Sequence, residues 1–368
     1  MSDLKKTRDS IYLIDDGEQK FITKHLMNPD FARIFNVKTS RFTTTGESNE
    51  VYNAFPVVTF YGTRIVGLYS IADSHANSSQ QIMFQGGRNA EGQSFNSVVF
   101  FDNATGQYNT SLVDSILAEG DSIVLKVWTL KKESGVVNVY VNSSITHNGL
   151  SYALWGEPVL QGGVLYRTGY SFVADNYNAA VFTSADGGVT WMYLSTIASG
   201  NTVNGHIFNE AALYYVGSNK WFSVIRDDST VNGSGRLYYS ESLDSAATWS
   251  APVVMPEDIV GRQPNLTRVL GSNYVALTTG KRTGNSGTVG FDGYYGDRTG
   301  VALYLSKDNG ETWASMTMLD GMYSSDGGQP WAVSYLSGRL LVLFYARKSI
   351  EELPDIYSVA LDVNTLAL

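Results

Sequence analysis

The chain has 368 residues and a formal charge of −9, with no cysteine and four histidines. The absence of cysteine excludes disulfide stapling and thiolate chemistry. The negative charge argues against general nucleic-acid binding, and scattered histidines at His25, His75, His147 and His206 argue against a histidine-rich metal site, so neither metal nor cofactor is expected. The chain is 43% hydrophobic but only 17% charged, with 23 Tyr, 16 Phe, 7 Trp and 36 Gly, which suits an all-β protein with many turns. No run of about 18 apolar residues marks a membrane-spanning helix.

Residues 1–45 differ in character from the rest of the chain. The opening Met1-Ser-Asp-Leu-Lys-Lys-Thr-Arg lacks the apolar core of a signal peptide, and the charged stretch 15–27 suits a short helix. This part reads as an N-terminal lead-in or attachment segment. Residues 46–368 read as one domain, in which strands alternate with Gly/Asn/Ser turns from Tyr52 onward. Residues 53–68 show a polar entry, an apolar strand, a turn and a second strand. That layout returns at 209–224, 262–277 and 328–343, each looking like the first two strands of a repeating β unit. Residues 80–155 supply at least one more unit with degenerate turns such as Phe101-Asp-Asn-Ala-Thr-Gly. Another begins near Gly162, and 355–362 reads as a closing strand.

Two segments share one pattern: Ser184-Ala-Asp186-Gly-Gly188-Val-Thr190-Trp191 and Ser306-Lys-Asp308-Asn-Gly310-Glu-Thr312-Trp313. A third, Ser242-Leu-Asp244-Ser-Ala246-Ala-Thr248-Trp249, has Ala246 in place of the glycine. The Asp can cap N–H groups of its own turn, Gly supplies a positive φ, and Trp anchors the turn on its hairpin. These roles are structural, and no catalysis is assigned to the three aspartates. The boxes start at 184, 242 and 306, about sixty residues apart, the length of a four-stranded unit with an elaborated loop. They resemble the Asp-boxes of the sialidase superfamily. The resemblance implies a sialidase-like six-bladed β-propeller, with five blades also compatible with the count. Because such boxes occur in noncatalytic propellers too, they speak to fold more than to function.

In sialidases a Glu begins an inner strand, an Arg closes the next, and an Asp-box follows in the same blade. Glu210, Arg226 and the box at 242 stand in that order, and Arg282 closes the corresponding strand of the next unit. Hairpin geometry accounts for the pairing, since a residue before one strand and a residue after its antiparallel neighbour meet at the same end. Two guanidiniums could clamp the carboxylate of a sugar acid, with Glu210 as base or proton shuttle. The plain alternative is a set of ion pairs that ties the blades together.

Two members of the exosialidase set are missing. Ala54 stands before Phe55-Pro56 where that family has an Arg, and Gln329 stands where it has a nucleophilic Tyr. The pattern is closer to the phage endosialidases, which keep the Glu and two Arg, lack the Tyr, and have an active-site His in the first blade, here matched by His75. Arg262, Arg298, Lys281 and Gln329 would extend the substrate groove, and for Arg262 and Arg298 a plain surface role is the alternative. The second carboxyl group stays open among Asp73, Asp227, Asp228 and Asp326. The resemblance implies hydrolysis of an acidic, sialic-acid-like surface polysaccharide by a phage tail protein, without membrane insertion and assembled as a homotrimer in the virion. The other readings are a noncatalytic glycan-binding tail-fibre propeller and an enzyme acting on an unrelated capsule.

Overall fold

In the computed structural model the described residues are 3–7, 10–15, 18–22, 38–41, 51–74, 77–87, 95–173, 175–229, 231, 235–281, 300–314, 317–322, 327–347 and 352–366. Strands β1 (Asp3–Thr7), β2 (Ser10–Asp15) and β3 (Glu18–Ile22) form an antiparallel sheet of their own. Strand therefore replaces the helix expected over part of 15–27. The reason is local: Ile11, Tyr12, Ile14, Phe21 and Ile22 favour strand, and Asp16-Gly17 between β2 and β3 is a two-residue hairpin sequence. Next comes β4 (Lys38–Arg41), whose partner lies at the far end of the chain.

Six further sheets stand among the described residues. The first contains β5 (Tyr52–Tyr61), β6 (Arg64–Ser74), β7 (Asn77–Gly87), β8 (Asn96–Asp102) and β9 (Gln107–Tyr108). The second has β10 (Ser122–Leu125), β11 (Trp128–Glu133) and β12 (Val136–Val141). In the third, β13 (Ser144–His147), β14 (Leu150–Leu154), β16 (Val164–Val173), β17 (Asn176–Ser184) and β18 (Met192–Gly200) lie in that order, and β15 (Val159–Gln161) also pairs with β16. The fourth is β19 (Phe208–Gly217), β20 (Lys220–Asp227), β21 (Leu237–Ser242) and β22 (Val253–Val254). The fifth is β23 (Arg262–Arg268), β24 (Val275–Lys281), β25 (Gly300–Ser306) and β26 (Thr317–Gly321). The last is β27 (Gly328–Leu336), β28 (Arg339–Ala346) and β29 (Asp355–Asp362), with β4 added outside β29. The four repeated stretches of the sequence are thus the first two strands of four of these sheets.

Neighbouring sheets meet through their early strands: β16 touches β19, β19 touches β23, β23 touches β27, β27 touches β5, and β5 touches β10. The core lies between sheets, as clusters joining the third to the fourth, the fourth to the fifth, the fifth to the last, and the last to the first and second. This all-β succession of antiparallel sheets is consistent with a sialidase-like β-propeller. A second regularity sits at the head of the first strands. In β5, β19, β23 and β27 the register slips where residues 55–56, 209–210, 263–264 and 329–330 are left out of the ladder. In three of them the second bulged residue is proline, which has no N–H to give a ladder. The residue before it, Phe55, Gln263 or Gln329, has a left-handed φ of 56°, 54° or 43°, a conformation that costs a non-glycine residue about 1–2 kcal/mol.

All three Asp-boxes form the same turn. Ser184 Oγ donates to Asp186 Oδ1 (2.7 Å) and accepts from the Gly188 N–H (2.7 Å), while Asp186 accepts from the Thr190 N–H (2.9 Å) and hydroxyl (2.6 Å). Ser242, Asp244 and Thr248 repeat these bonds, as do Ser306, Asp308 and Thr312. Ala246 fills the glycine position with φ 64° and is fully buried. Each turn docks on a neighbouring sheet. Gly187 and Gly188 carbonyls accept from Ser122 and Thr129, the Ala246 carbonyl accepts from Ser195, and Gly310 lies against the Phe222 ring, where a Cβ would come within 2.7 Å.

Burial works to raise Asp186, but the bonds from Thr190 and Ser184 outweigh it and bring the carboxyl to about 2; in Asp244 the bonds from Thr248 and Ser242 lead, again to about 2. Folded pKa values below the ordinary 3.8 stabilise the fold above that pH, and the contribution is lost as pH falls toward 2. Asp186→Ala and Asp244→Ala should each lower the melting temperature at neutral pH by several degrees. The gap to wild type should close on acidification from about pH 4 to about pH 2; a gap that persists at the acid end would show that the carboxylates are not what holds the turns.

Candidate functional site

The bulge at the head of β19 lifts Asn209 and Glu210 out of the ladder, and β20 ends beside it with Arg226, Asp227 and Asp228. Side chains alternate along a strand, so Arg226 and Asp228 lie on one side and Asp227 on the other. Arg226 Nη1 meets Glu210 Oε2 at 2.5 Å. Its Nε and Nη2 meet the two oxygens of Asp228 at 2.9 and 2.8 Å, a bidentate pair. Asn209 Nδ2 also donates to Asp228 (2.8 Å), and Arg262, at the head of β23 in the next sheet, places Nε 3.8 Å from Asp228. Burial works against the Arg226 charge, but the Glu210 and Asp228 carboxylates more than compensate and hold its pKa above the ordinary value. Glu210 is buried at 6% exposure, whereas the Arg262 side chain is 34% exposed.

The structure thus joins three of the sequence-derived candidates, Glu210, Arg226 and Arg262, through Asp228, one of the four aspartates left open as a second acid. Lys281 is buried and follows Gly280, the ladder partner of Arg262, so it ends its strand at the same edge of the fifth sheet. Gln329 is buried in the left-handed bulge of β27, where its N–H donates to Gln263 Oε1 (2.9 Å), beside Arg262. His75, Arg282, Arg298 and Asp326 lie outside the described residues, as does the side chain of Asp73.

Three neighbours of this cluster were not singled out from the sequence. Tyr170 on β16 faces the cluster from the third sheet, and burial, then the negative charge of Glu210, raises its phenol pKa. Trp155 stands beside it, ring centroids 6.2 Å apart. His206 places Nδ1 2.8 Å from Asp227 Oδ2, and the same carboxylate accepts from Ile207 N–H, Ser229 N–H and the Ser229 hydroxyl. Burial would raise Asp227, but the bonds from His206 and Ser229 prevail and lower it. None of the three carries a motif. His206 stands four residues before Glu210, which is the one hint the sequence offers.

Close to the bulges of β5 and β27 a small cavity of ≈ 10 Å³, about the room one water needs, is lined by Val57, Thr59, Lys126, Glu157, Pro158 and Trp331, among others. Lys126 sits 5.0 Å from the centre of the Phe55 ring, and burial lowers its pKa to about 7. Burial raises Glu157 to about 8, against hydrogen bonds from Asn265 and Thr59. Arg167, itself buried, donates to the Trp155 and Gly156 carbonyls and so fixes the turn that carries Glu157. A carboxyl whose folded pKa stands above its ordinary 4.5 contributes fully below that pH, and the contribution is lost as pH rises toward 8. Glu157→Gln should therefore gain melting temperature relative to wild type progressively between about pH 5 and about pH 8. A difference that stays constant across that window would mean that Glu157 is ionised in the folded chain.

A family model described as a BNR repeat-like domain matches residues 147–340. No curated protein matches the chain. Among solved structures it is similar to a protein of unknown function from Dyadobacter fermentans, with TM-score 0.65 and 16% identity over 89% of this chain and 99% of that one. It is also similar to the NanB sialidase of Streptococcus pneumoniae (TM-score 0.54, 13% identity, 94% and 73% covered) and to the endosialidase of phage phi92 (TM-score 0.50, 11% identity, 89% and 69% covered). At these identities the likeness is one of fold.

Proposed function

The chain belongs to the BNR repeat-like domain family, and from that membership we propose that it is a six-bladed sialidase-like propeller that binds and hydrolyses an acidic, sialic-acid-like surface polysaccharide. The observation that carries this reading is the joining of Glu210, Arg226, Asp228 and Arg262 at one edge of two adjacent sheets. Arg226 has three donor contacts on two carboxylates, so it serves to hold Glu210 and Asp228 in place. The more exposed Arg262, with Lys281 and Arg282, is the better receptor for a sugar carboxylate. Glu210 then manages the proton of an attacking water. Direct attack with inversion needs no side-chain nucleophile, in keeping with Gln329 at the position where a sialidase has its Tyr, and Asp228 is the second carboxyl group. The proposed setting is a phage tail, as a homotrimer, a reading that rests on the resemblance of the sequence pattern to the phage endosialidases.

One observation favours a second reading. The close ionic balance around Arg226 is also what a noncatalytic, glycan-binding propeller would keep for structure alone. The two readings separate when wild type and Glu210→Gln are incubated with a panel of bacterial capsules that includes polysialic acid and chain length is followed by chromatography. The hydrolase reading expects shortening by wild type and a rate at least about a hundredfold lower for Glu210→Gln. Binding without shortening leaves the adhesin, and the absence of both ends the glycan reading.

A further inference from the structure

The rim between the third and fourth sheets, next to the ionic cluster, carries groups that the proposed hydrolysis does not use. Tyr170, which faces Glu210, Arg226 and Asp228, is followed two residues later on the same face of β16 by Phe172. Phe172 pairs across the hairpin with Tyr177, ring centroids 5.1 Å apart, and Phe172 is 56% exposed. The ring leans on Tyr177 on one side and presents the rest of its surface to solvent beside the charged cluster.

His206 lies against this hairpin. Asp175, in the hairpin turn, accepts from the Thr202 N–H (2.6 Å) and hydroxyl (2.8 Å), which fastens the loop leading to His206. Gly200 lies between the two, where a Cβ would meet the His206 carbonyl at 2.3 Å and the Tyr177 carbonyl at 3.2 Å. The imidazole is held on three sides: Nδ1 on Asp227, one face on Phe208 at 4.8 Å, and an edge against Tyr238 at 5.3 Å. Asp227 as a carboxylate only accepts, so Nδ1 donates to it, and Nε2 is the ring nitrogen on the side away from that bond. The His206 side chain is 21% exposed. Asp227 stands between Arg226 and Asp228 on one strand end, so the same backbone positions the cluster and this imidazole.

We propose that this rim is a second sugar subsite, in which Phe172, backed by the tilted ring of Tyr177, stacks on a pyranose ring and His206 Nε2 hydrogen-bonds one of its hydroxyls, so that the protein takes a glycan chain rather than a single sugar. The chemistry suits that occupant: a pyranose offers an apolar face to an aromatic ring and a hydroxyl edge to a fixed imidazole nitrogen. The rim also continues, through Tyr170, into the groups proposed to hold the acidic sugar. The inference rests on the glycan reading, and its test is chosen to fail separately from it.

Calorimetric titration of wild type, Phe172→Ala and His206→Ala with sialic acid, and with oligosialic acids of increasing length, measures the effect. Wild type should gain affinity when the second sugar is added. Each variant should lose about tenfold on the oligomers and stay within about twofold on the monomer. Phe172→Ala removes an exposed ring, and a melting curve superimposable on wild type confirms that its fold is retained. An equal loss on monomer and oligomer, or no loss on either, overturns the subsite and leaves the glycan reading standing. Wild type whose affinity does not rise with length does the same, whereas wild type that binds none of these sugars overturns both.

Discussion

Register in an antiparallel ladder allows no gradual adjustment: a strand either keeps its alternation or gains residues at a bulge. Four first strands of this chain gain them at the same level, and most of what is distinctive about the molecule derives from that. In three of the strands an X-Pro pair makes the bulge, and the strain of the left-handed residue is held by packing, with Gln263 and Gln329 buried and Phe55 partly buried. In the fourth the pair is Asn209-Glu210. Proline's place is taken there by the residue that Arg226 engages, so the fold's recurrent irregularity becomes its charged site.

The electrostatics of that site are closed on themselves to an unusual degree. One guanidinium joins two carboxylates from either end of a hairpin, and Asn209 ties the second carboxylate back to the bulge. Such an arrangement resists rearrangement, because removing any member takes a hydrogen bond from a buried or part-buried charged group. The fifth sheet adds positive charge beside this cluster, with Arg262 at the head of β23 and Lys281 at the end of β24. Division of labour between sheets is a sounder account of the site than a cluster of equivalent arginines.

Much of the architecture is legible in the sequence because its signals are local. Asp186, Asp244 and Asp308 announce turns that three short-range hydrogen-bond patterns then reproduce, and strand-turn-strand stretches such as 209–224 need only alternation and a Gly-Ser-Asn turn. Glu210 and Arg226 can be paired because hairpin geometry relates positions at known spacing. Asp228 is one of four carboxylates with nothing in the sequence to rank them, since its role depends on the alternation at the end of β20. Tyr170 and His206 are invisible there for a different reason: they come to the site from the third sheet and from the loop after it, and contacts between sheets leave no period in the sequence. β3 reads as part of a helix over 15–27 only when charge density is weighed above Phe21, Ile22 and the Asp16-Gly17 pair before it.

The pairing of β4 with β29 sets an order of events on the chain's assembly. Every other sheet closes among strands that are near one another in sequence, and each can form as it is made. The last sheet takes its outermost strand from residues 38–41 and its third from 355–362, so the early segment must wait through the synthesis of all the sheets between. Until then β4 has no ladder partner, and once β29 is made its own outer edge is open until β4 arrives. The most exposed moment of this fold therefore comes when β29 has been made and β4 has yet to pair with it, and a chaperone or a crowded neighbour that meets that open edge would meet it then.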